Sequence, residues 1–180
     1  ENVVAREAVL YNPVINYVKR TPRRTGKKRS IFASIQNLDD FVSLHKLTVS
    51  NGQINMKLGP TTSIQLQDAN ISLYSDRLQE SVGSGGLKHA FEALSFYSAT
   101  IHLKDITATI QNARNSNDNL LHADKLMISD RTRRTEIAAN DISLQNFSID
   151  EDNHGMSIDG LKWNSAKVSL LTPPLQKEKG

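Results

Sequence analysis

Histidine and carboxylate side chains are the residues of this chain that could carry acid–base or metal chemistry. A zinc site or a general base needs several such groups at a short fixed spacing, as in an HExxH helix. The histidines instead stand in different segments of the chain: His45, His89, His102, His122 and His154. Asp118 and His122 are four residues apart, but a polar loop precedes them. The pattern indicates ordinary histidines and predicts no metal site.

The glycine-rich and acidic stretches also lack the remaining parts of a catalytic motif. GSGG at 83–86 has neither the lysine of a P-loop nor the strand that precedes a dinucleotide-binding turn. DEDNHG at 150–155 lacks the alternating oxygen ligands of a calcium loop and is typical of a solvated hairpin tip. No nucleophile elbow is present, and aspartates at sheet corners do not indicate a glycosidase. We therefore expect no enzyme activity and no cofactor.

Length and composition indicate one polar β-domain spanning residues 1–180. The chain has 180 residues, 38% of them hydrophobic, a net charge of +3 and no cysteine, so disulfides and thiolate metal sites are excluded. No apolar run approaches the roughly 18 residues of a membrane span, and the first residue is Glu1. We expect either a processed chain or an excised fragment, with 172–180 as a C-terminal tail.

Basic residues crowd into one stretch that also contains proline and glycine, which is typical of a solvated mobile loop over 19–30. Its charges are also the candidates for contact with anionic headgroups: Lys19, Arg20, Arg23, Arg24, Lys27, Lys28 and Arg29. No aromatic residue interleaves with them, which disfavours nucleic acid.

The apolar pattern of the strands changes parity at Asp or Asn residues. In IQLQDANISL (64–73) two pairs of apolar residues have opposite parity around Asp68, so a straight strand would place them on opposite faces. The same switch recurs at 51, 105, 124, 141 and 159, mostly 17 to 19 residues apart. The recurrence predicts a repeated bent β-unit.

Two physical explanations keep all the apolar side chains on one face. Asn51-Gly52 is a strong hairpin signal, so we predict a two-residue turn there. At Asp105, Asp141 and Asp159 the apolar residues are three apart, which indicates a β-bulge or sheet corner. Asp and Asn suit both, because they tolerate left-handed backbone conformations.

The predicted fold is mainly β, a repetitive antiparallel, bent sheet with about 18 residues per unit, either a β-solenoid or a folded-over β-groove. Each unit supplies a pair of strands or one bent strand with its connection. Between 68 and 105 one unit is replaced, and helical spacing of apolar residues predicts a short helical insertion near 86–97.

The inward apolar stripe is an ordinary core in a closed sandwich and an apolar groove in a sheet left open along one side. Its members are Ile64, Leu66, Ile71, Leu73, Ile101, Leu103, Ile106, Ile110, Leu126, Ile128, Ile142 and Leu144.

The order of segments resembles the AsmA-like proteins, above all the large periplasmic members of the Bacteroidetes. An Asn-Pro lies between two apolar stretches in AREAVLYNPVINYVKR (5–20), the basic run follows, and KLTVSNGQINM (46–56) matches the next unit of the family. FYSATIHLKDITATI (96–110) and LLHADKLMISDRTRRTEIAANDISL (120–144) continue the succession.

This resemblance implies that the chain is a fragment of a larger ectodomain, a non-enzymatic periplasmic module anchored in the inner membrane by an N-terminal helix upstream of Glu1. It also implies that acyl chains would lie against the inward apolar stripe. Relatives are implicated in outer-membrane biogenesis and lipid homeostasis, and the wider superfamily is thought to carry acyl chains along a β-groove. The implied partner is therefore a phospholipid or another acyl lipid, and the oligomeric state stays open.

Three alternatives stay open on the sequence. One is an Asp-rich carbohydrate-active solenoid, which would need two or more carboxylates converging in a cleft. The stretch 120–144 also resembles a rung of the lipopolysaccharide-transport β-taco, which requires an uninterrupted stack of strands. A structural or adhesive β-repeat module with a closed core would have no ligand and no exposed apolar stripe.

Overall fold

The chain is mainly β, as predicted. The structure, a computed structural model, describes residues 3–18, 42–75, 77, 87–150 and 155–170. The basic stretch 19–30 and the tail 172–180 lie outside the described residues. The strands are β1 (Val3–Tyr11), β2 (Val14–Val18), β3 (Val42–Lys57), β4 (Thr62–Tyr74), β5 (Phe91–Leu103), β6 (Ile106–Arg114), β7 (Leu121–Asp130), β8 (Thr135–Leu144), β9 (Asn146–Asp150), β10 (Gly155–Asp159) and β11 (Lys162–Leu170).

Nine of these strands form one open sheet in the order β1-β3-β4-β5-β6-β7-β8-β11. β1 and β2 lie end to end along the same edge of β3 and pair with it in parallel, whereas every later neighbour is antiparallel. β9 and β10 form a separate hairpin between β8 and β11. This meander favours the folded-over sheet over the solenoid, and each unit supplies one bent strand.

Across the nine-stranded sheet, one residue in each of β3 to β8 and β11 leaves the regular pattern, as does Asn12 between β1 and β2. These residues lie side by side. We call them the crease row. From the strand registers they are Asn12, Asn51, Asp68, Tyr97, Asn112, Asp124, Asp141 and Asn164. All eight are exposed, and five have positive φ, from 48° at Asn12 to 54° at Asp141. Asn and Asp accept this conformation at low cost, which explains why they fill seven of the eight positions.

The opposite side of the crease row is crowded. Ala69, Ala113 and Ala123 are 0%, 2% and 1% exposed, although the sheet is a single layer. A Cβ added to Gly52 would lie 2.6 Å from Cγ1 of Val49. Exposed polar residues on one side and buried small residues on the other show that the sheet bends here, with its apolar face inside the bend.

The bend divides the sheet into two arms. The turn arm runs from the crease row to the turns 58–61, 104–105 and 131–134, and the loop arm runs to the connections at the other end. A small core at the bend joins them: Ile54, Ala69, Phe96, Ala99, Ala113 and Ala123 are buried, and Leu66, Ile110, Ile71, Leu94 and Leu121 pack against them from both arms.

Three of the local predictions about turns and corners were wrong. Asn51-Gly52 is not a hairpin but lies within the continuous strand β3, because both β1–β2 and β4 pair along its whole length. Asp105 is not a corner but lies in the two-residue turn between β5 and β6, where Lys104 has φ 54°. Asp159 ends β10 rather than bending a strand. The corner predicted at Asp141 is confirmed.

The helical insertion predicted near 86–97 is also wrong. Only Leu87–Ala90 form a turn of 3₁₀ helix, and Phe91–Leu103 form strand β5. Pairing of β5 with both β4 and β6 satisfies its backbone groups on two sides, and this outweighs the helical spacing of Phe91 and Leu94.

Crowding inside the bend makes a stability prediction. We expect Ala69→Leu to lower the free energy of unfolding by about 1 to 3 kcal/mol, because three added carbons have no space at this position. Urea unfolding followed by circular dichroism measures the change. Ala138→Leu, on the half-buried opposite face of β8, is the matched control, and an equal loss in both variants would contradict the bend.

The left-handed backbone of the crease row makes a second prediction. Asp68 has φ 51° and an exposed side chain, so we expect Asp68→Gly to keep the free energy of unfolding and Asp68→Val to lower it by about 1 to 2 kcal/mol. Gln67→Val, one residue away and also exposed, controls for the change of side chain. If the two valine variants unfold alike, backbone conformation is not what selects Asp68.

Candidate functional site

The inner face of the turn arm carries two uninterrupted apolar rows that cross seven strands. Residues directly opposite one another in the registers form them. The row next to the crease is Ile54, Leu66, Ala99, Ile110, Leu126, Ala139 and Ala166, and the outer row is Met56, Ile64, Ile101, Ala108, Ile128, Ile137 and Val168. Seven strands about 4.8 Å apart give each row a length of about 29 Å.

All twelve predicted stripe residues lie on the inner face of the sheet. Some lie on the turn arm and the others on the loop arm. The turn arm holds Ile64, Leu66, Ile101, Leu103, Ile106, Ile110, Leu126 and Ile128. The loop arm holds Ile71 beside Val49 and Leu94, Leu73 beside Leu47, Ile142 beside Ala123, and Leu144 beside Leu121. The parity change at the crease row therefore keeps both arms apolar on the inside.

The inner face is open along the turn arm. Among the described residues no large side chain is fully buried, and Leu103 and Ile106 are 38% and 36% exposed. The described elements outside the sheet are the 3₁₀ helix and the β9–β10 hairpin, and these contact each other. No second described layer covers the two apolar rows, so the face forms a groove along the crease.

Several groove positions are missing from the sequence-based candidate set. Met56, Ala108 and Ile137 lie in the outer row, and Ile54 and Ala139 lie in the row next to the crease. The same period-two alternation marks them in the sequence, and small size made the alanines easy to overlook. Together with Ala99, Ala166 and Val168 they complete the rows that the candidate residues leave interrupted.

The outer face of the loop arm carries an ion-pair network instead of an apolar surface. Lys46 Nζ lies 2.6 Å from Glu92 Oε2 and 3.8 Å from Glu7 Oε1, and the Tyr74 hydroxyl donates to Glu92 at 3.0 Å. Arg77 and Lys46 lie over the Tyr74 ring at 4.4 and 5.5 Å. The network links β1, β3, β4 and β5, which gives these titratable groups a structural role.

The described histidines are separated and have ordinary partners. His45 packs on Tyr74 with ring centroids 5.5 Å apart, His102 Nδ1 lies 3.2 Å from Thr107 Oγ1, and His122 Nε2 lies 3.3 Å from Asp141 Oδ1. His89 is exposed, and His154 lies outside the described residues. Within the described ranges no three His, Asp or Glu side chains are placed to hold a metal ion.

The predicted headgroup contacts of the basic run, Lys19 to Arg29, lie outside the described residues. Among the helices of the described ranges, none has the length and apolar character needed to cross a membrane. Comparisons of the chain with protein-family models, with curated proteins and with solved structures find no match.

The ion-pair network makes a pH prediction. The hydrogen bond from Lys46, and then that from Tyr74, lowers the pKa of Glu92 below its ordinary 4.5, and the same contact raises the pKa of Lys46 above 10.5. The Glu92 contribution to stability is therefore present above pH 4.5 and is lost as the pH falls through the lowered pKa.

We expect a carbon-detected NMR titration to give a Glu92 midpoint below 4.5 that rises toward 4.5 in Lys46→Met. Tyr74→Phe should give a smaller rise, because it removes the second hydrogen bond. Lys125→Met, on β7, is the control. An unchanged midpoint in Lys46→Met would show that the pair is not formed in solution.

Proposed function

We propose that this chain holds the acyl chain of a phospholipid or a related lipid in the groove along its crease. The observation that carries the proposal is the pair of apolar rows, which contain no polar residue over seven strands. Most of their members are only half-buried, and no second described layer covers them. A soluble protein rarely leaves so large a continuous apolar surface without a ligand or partner. The row length of about 29 Å matches an elongated ligand better than a compact one.

The size of the hydrophobic effect explains why the bend matters for such a ligand. One fully buried methylene contributes about 0.8 kcal/mol, so ten methylenes covered on one side contribute about 4 kcal/mol. Because association costs about 4 to 15 kcal/mol, this one-sided contribution leaves no net affinity. Covering the same methylenes from both arms contributes about 8 kcal/mol and offsets the lower end of that cost. A creased sheet can hold a chain that a flat sheet would release.

The AsmA-like resemblance supports the biological setting of this proposal. It suggests a non-enzymatic periplasmic module of an inner-membrane-anchored protein that takes part in outer-membrane biogenesis or lipid homeostasis. The Asn-Pro of the family pattern is Asn12-Pro13, the point where β1 passes to β2 at the crease row. The family pattern and the bend therefore coincide in this chain.

The lipopolysaccharide-transport β-taco is the second candidate, and one observation favours it. The β-taco requires an uninterrupted stack of strands. Residues 91–97 belong to strand β5, which pairs directly with β4 and β6, so no insertion separates these strands. The structural module with a closed core is disfavoured, because the sheet is open. The two lipid carriers differ in cargo, since lipopolysaccharide carries several acyl chains on a sugar.

Native purification followed by mass spectrometry of co-purifying lipids tests the proposal. We expect one phospholipid or acyl lipid per chain, and lipopolysaccharide in its place would select the second candidate. Ile101→Asp combined with Ile128→Asp should abolish lipid binding, because two carboxylates then face the outer apolar row.

The matched control places the same charges on the opposite face of the same two strands. Thr100→Asp combined with Met127→Asp should keep the lipid, because both residues point away from the groove. Circular dichroism must show that both double variants are folded. Loss of folding in the groove variant together with absence of lipid from the natural protein would instead identify the rows as a closed core.

A further inference from the structure

Three turns at the end of the turn arm are joined into one continuous edge, which we call the turn lip: residues 58–61, 104–105 and 131–134. The Lys104 N–H donates to the Thr61 carbonyl at 2.9 Å, and the Arg131 N–H donates to the Asp105 carbonyl at 3.0 Å. Asp130 accepts from the Arg133 N–H at 3.0 Å and closes the third turn. The backbones of these turns are therefore held at fixed relative positions.

The turn lip is basic. Its cations are Lys104, Arg131, Arg133 and Arg134, all exposed, and its one carboxylate is Asp105. The neighbouring Asp130 is already engaged by the Arg133 backbone and lies 3.9 Å from Arg133 Nε. Four cations on one edge attract phosphate groups, and each Lys or Arg near an anionic bilayer contributes measurably to binding.

Two exposed apolar side chains lie directly inside this basic edge. Leu103 and Ile106 are cross-strand partners beside the turn 104–105, and they are 38% and 36% exposed. They belong to the inner face and continue into the outer row through Ile101 and Ala108. An apolar path therefore runs from the basic edge into the groove without a polar residue between them.

We propose that the turn lip docks on the surface of an anionic lipid bilayer, with Lys104, Arg131, Arg133 and Arg134 binding lipid phosphates and Leu103 and Ile106 entering the interfacial region. A cationic rim around exposed aliphatic side chains is the combination that binds membrane surfaces. The inference rests on the proposed function for its purpose, since an acyl chain would pass over this lip into the groove.

Sedimentation with vesicles tests the charge requirement. The protein should bind vesicles of phosphatidylcholine with 30% phosphatidylglycerol and not vesicles of phosphatidylcholine alone. Arg131→Glu combined with Arg134→Glu should weaken the partition coefficient by about 30-fold or more, since each cation near the surface contributes a factor of about five. The basic run 19–29 is unchanged in this variant, so the loss reports the turn lip.

The matched control reverses the same number of charges at the loop end of the sheet. Arg114→Glu combined with Lys162→Glu changes the net charge equally, and both residues are exposed. We expect at most a few-fold weakening in this variant. Equal losses in the two double variants would overturn the proposal, because binding would then follow net charge alone.

Fluorescence quenching tests the position of the lip in the bilayer. In a Trp163→Phe background, the indole of Leu103→Trp should be quenched by vesicles with brominated acyl chains. The indole of Tyr97→Trp, on the exposed side of the crease, should not be quenched. If a single-stranded RNA binds with the same dependence on Arg131 and Arg134 and position 103 stays unquenched, the turn lip is a general polyanion site and the membrane assignment falls.

The membrane-docking proposal for the turn lip and the lipid-binding proposal for the groove can be contradicted independently of each other. Lipid retained in the natively purified protein reports the groove without vesicles, whereas sedimentation and quenching report the lip. Lipid retention without vesicle binding contradicts only the membrane-docking proposal. Vesicle binding by a protein that retains no lipid contradicts the lipid-binding proposal for the groove.

Discussion

One constraint organises the nine-stranded sheet: each of β3 to β8 and β11 contains one residue that leaves the regular pattern, and these residues lie in one row with Asn12, between β1 and β2. A single extra residue would only produce a local bulge. Because neighbouring strands carry the extra residue opposite one another, pairing resumes on both sides of the crease row, with constant register from β4 to β11 except for one irregularity near Leu73. The bend is therefore a property of the whole sheet.

The bend explains why the most deeply buried of the described residues are small. Side chains inside the crease approach one another, so Ala69, Ala113 and Ala123 fill the space that larger side chains occupy in a two-layered sandwich. Farther from the crease the arms diverge, and large residues such as Ile101 and Ile128 remain half-buried. The shortage of fully buried large side chains thus follows from one geometric feature, and it leaves the apolar rows accessible.

The sequence predicts the face of each apolar side chain well, because alternation and its interruptions are local. It does not separate a reversal of the chain from a bend, since both keep apolar residues on one side. For this reason Asn51-Gly52 was predicted as a turn and Asp105 as a bend. The pairing of β3 with three other strands shows that Asn51-Gly52 lies within a strand. The pairing of β5 with β6 places Asp105 in the turn between them. Leu87, Phe91 and Leu94 likewise fit a helix until β4 and β6 offer partners to β5. The rows themselves depend on register, which single strands do not specify.

The absence of polar residues from both rows has a consequence for the kind of binding proposed. Sites that fix a ligand in one position use a few well-placed polar groups within an apolar pocket. Here fourteen consecutive row positions offer only alkyl and thioether groups, so a bound acyl chain that moves by one strand spacing exchanges one set of apolar contacts for an equivalent set. Such movement breaks no hydrogen bond and meets a low barrier. Selectivity among lipids must then arise where charges meet the headgroup, at the edges of the groove rather than along it.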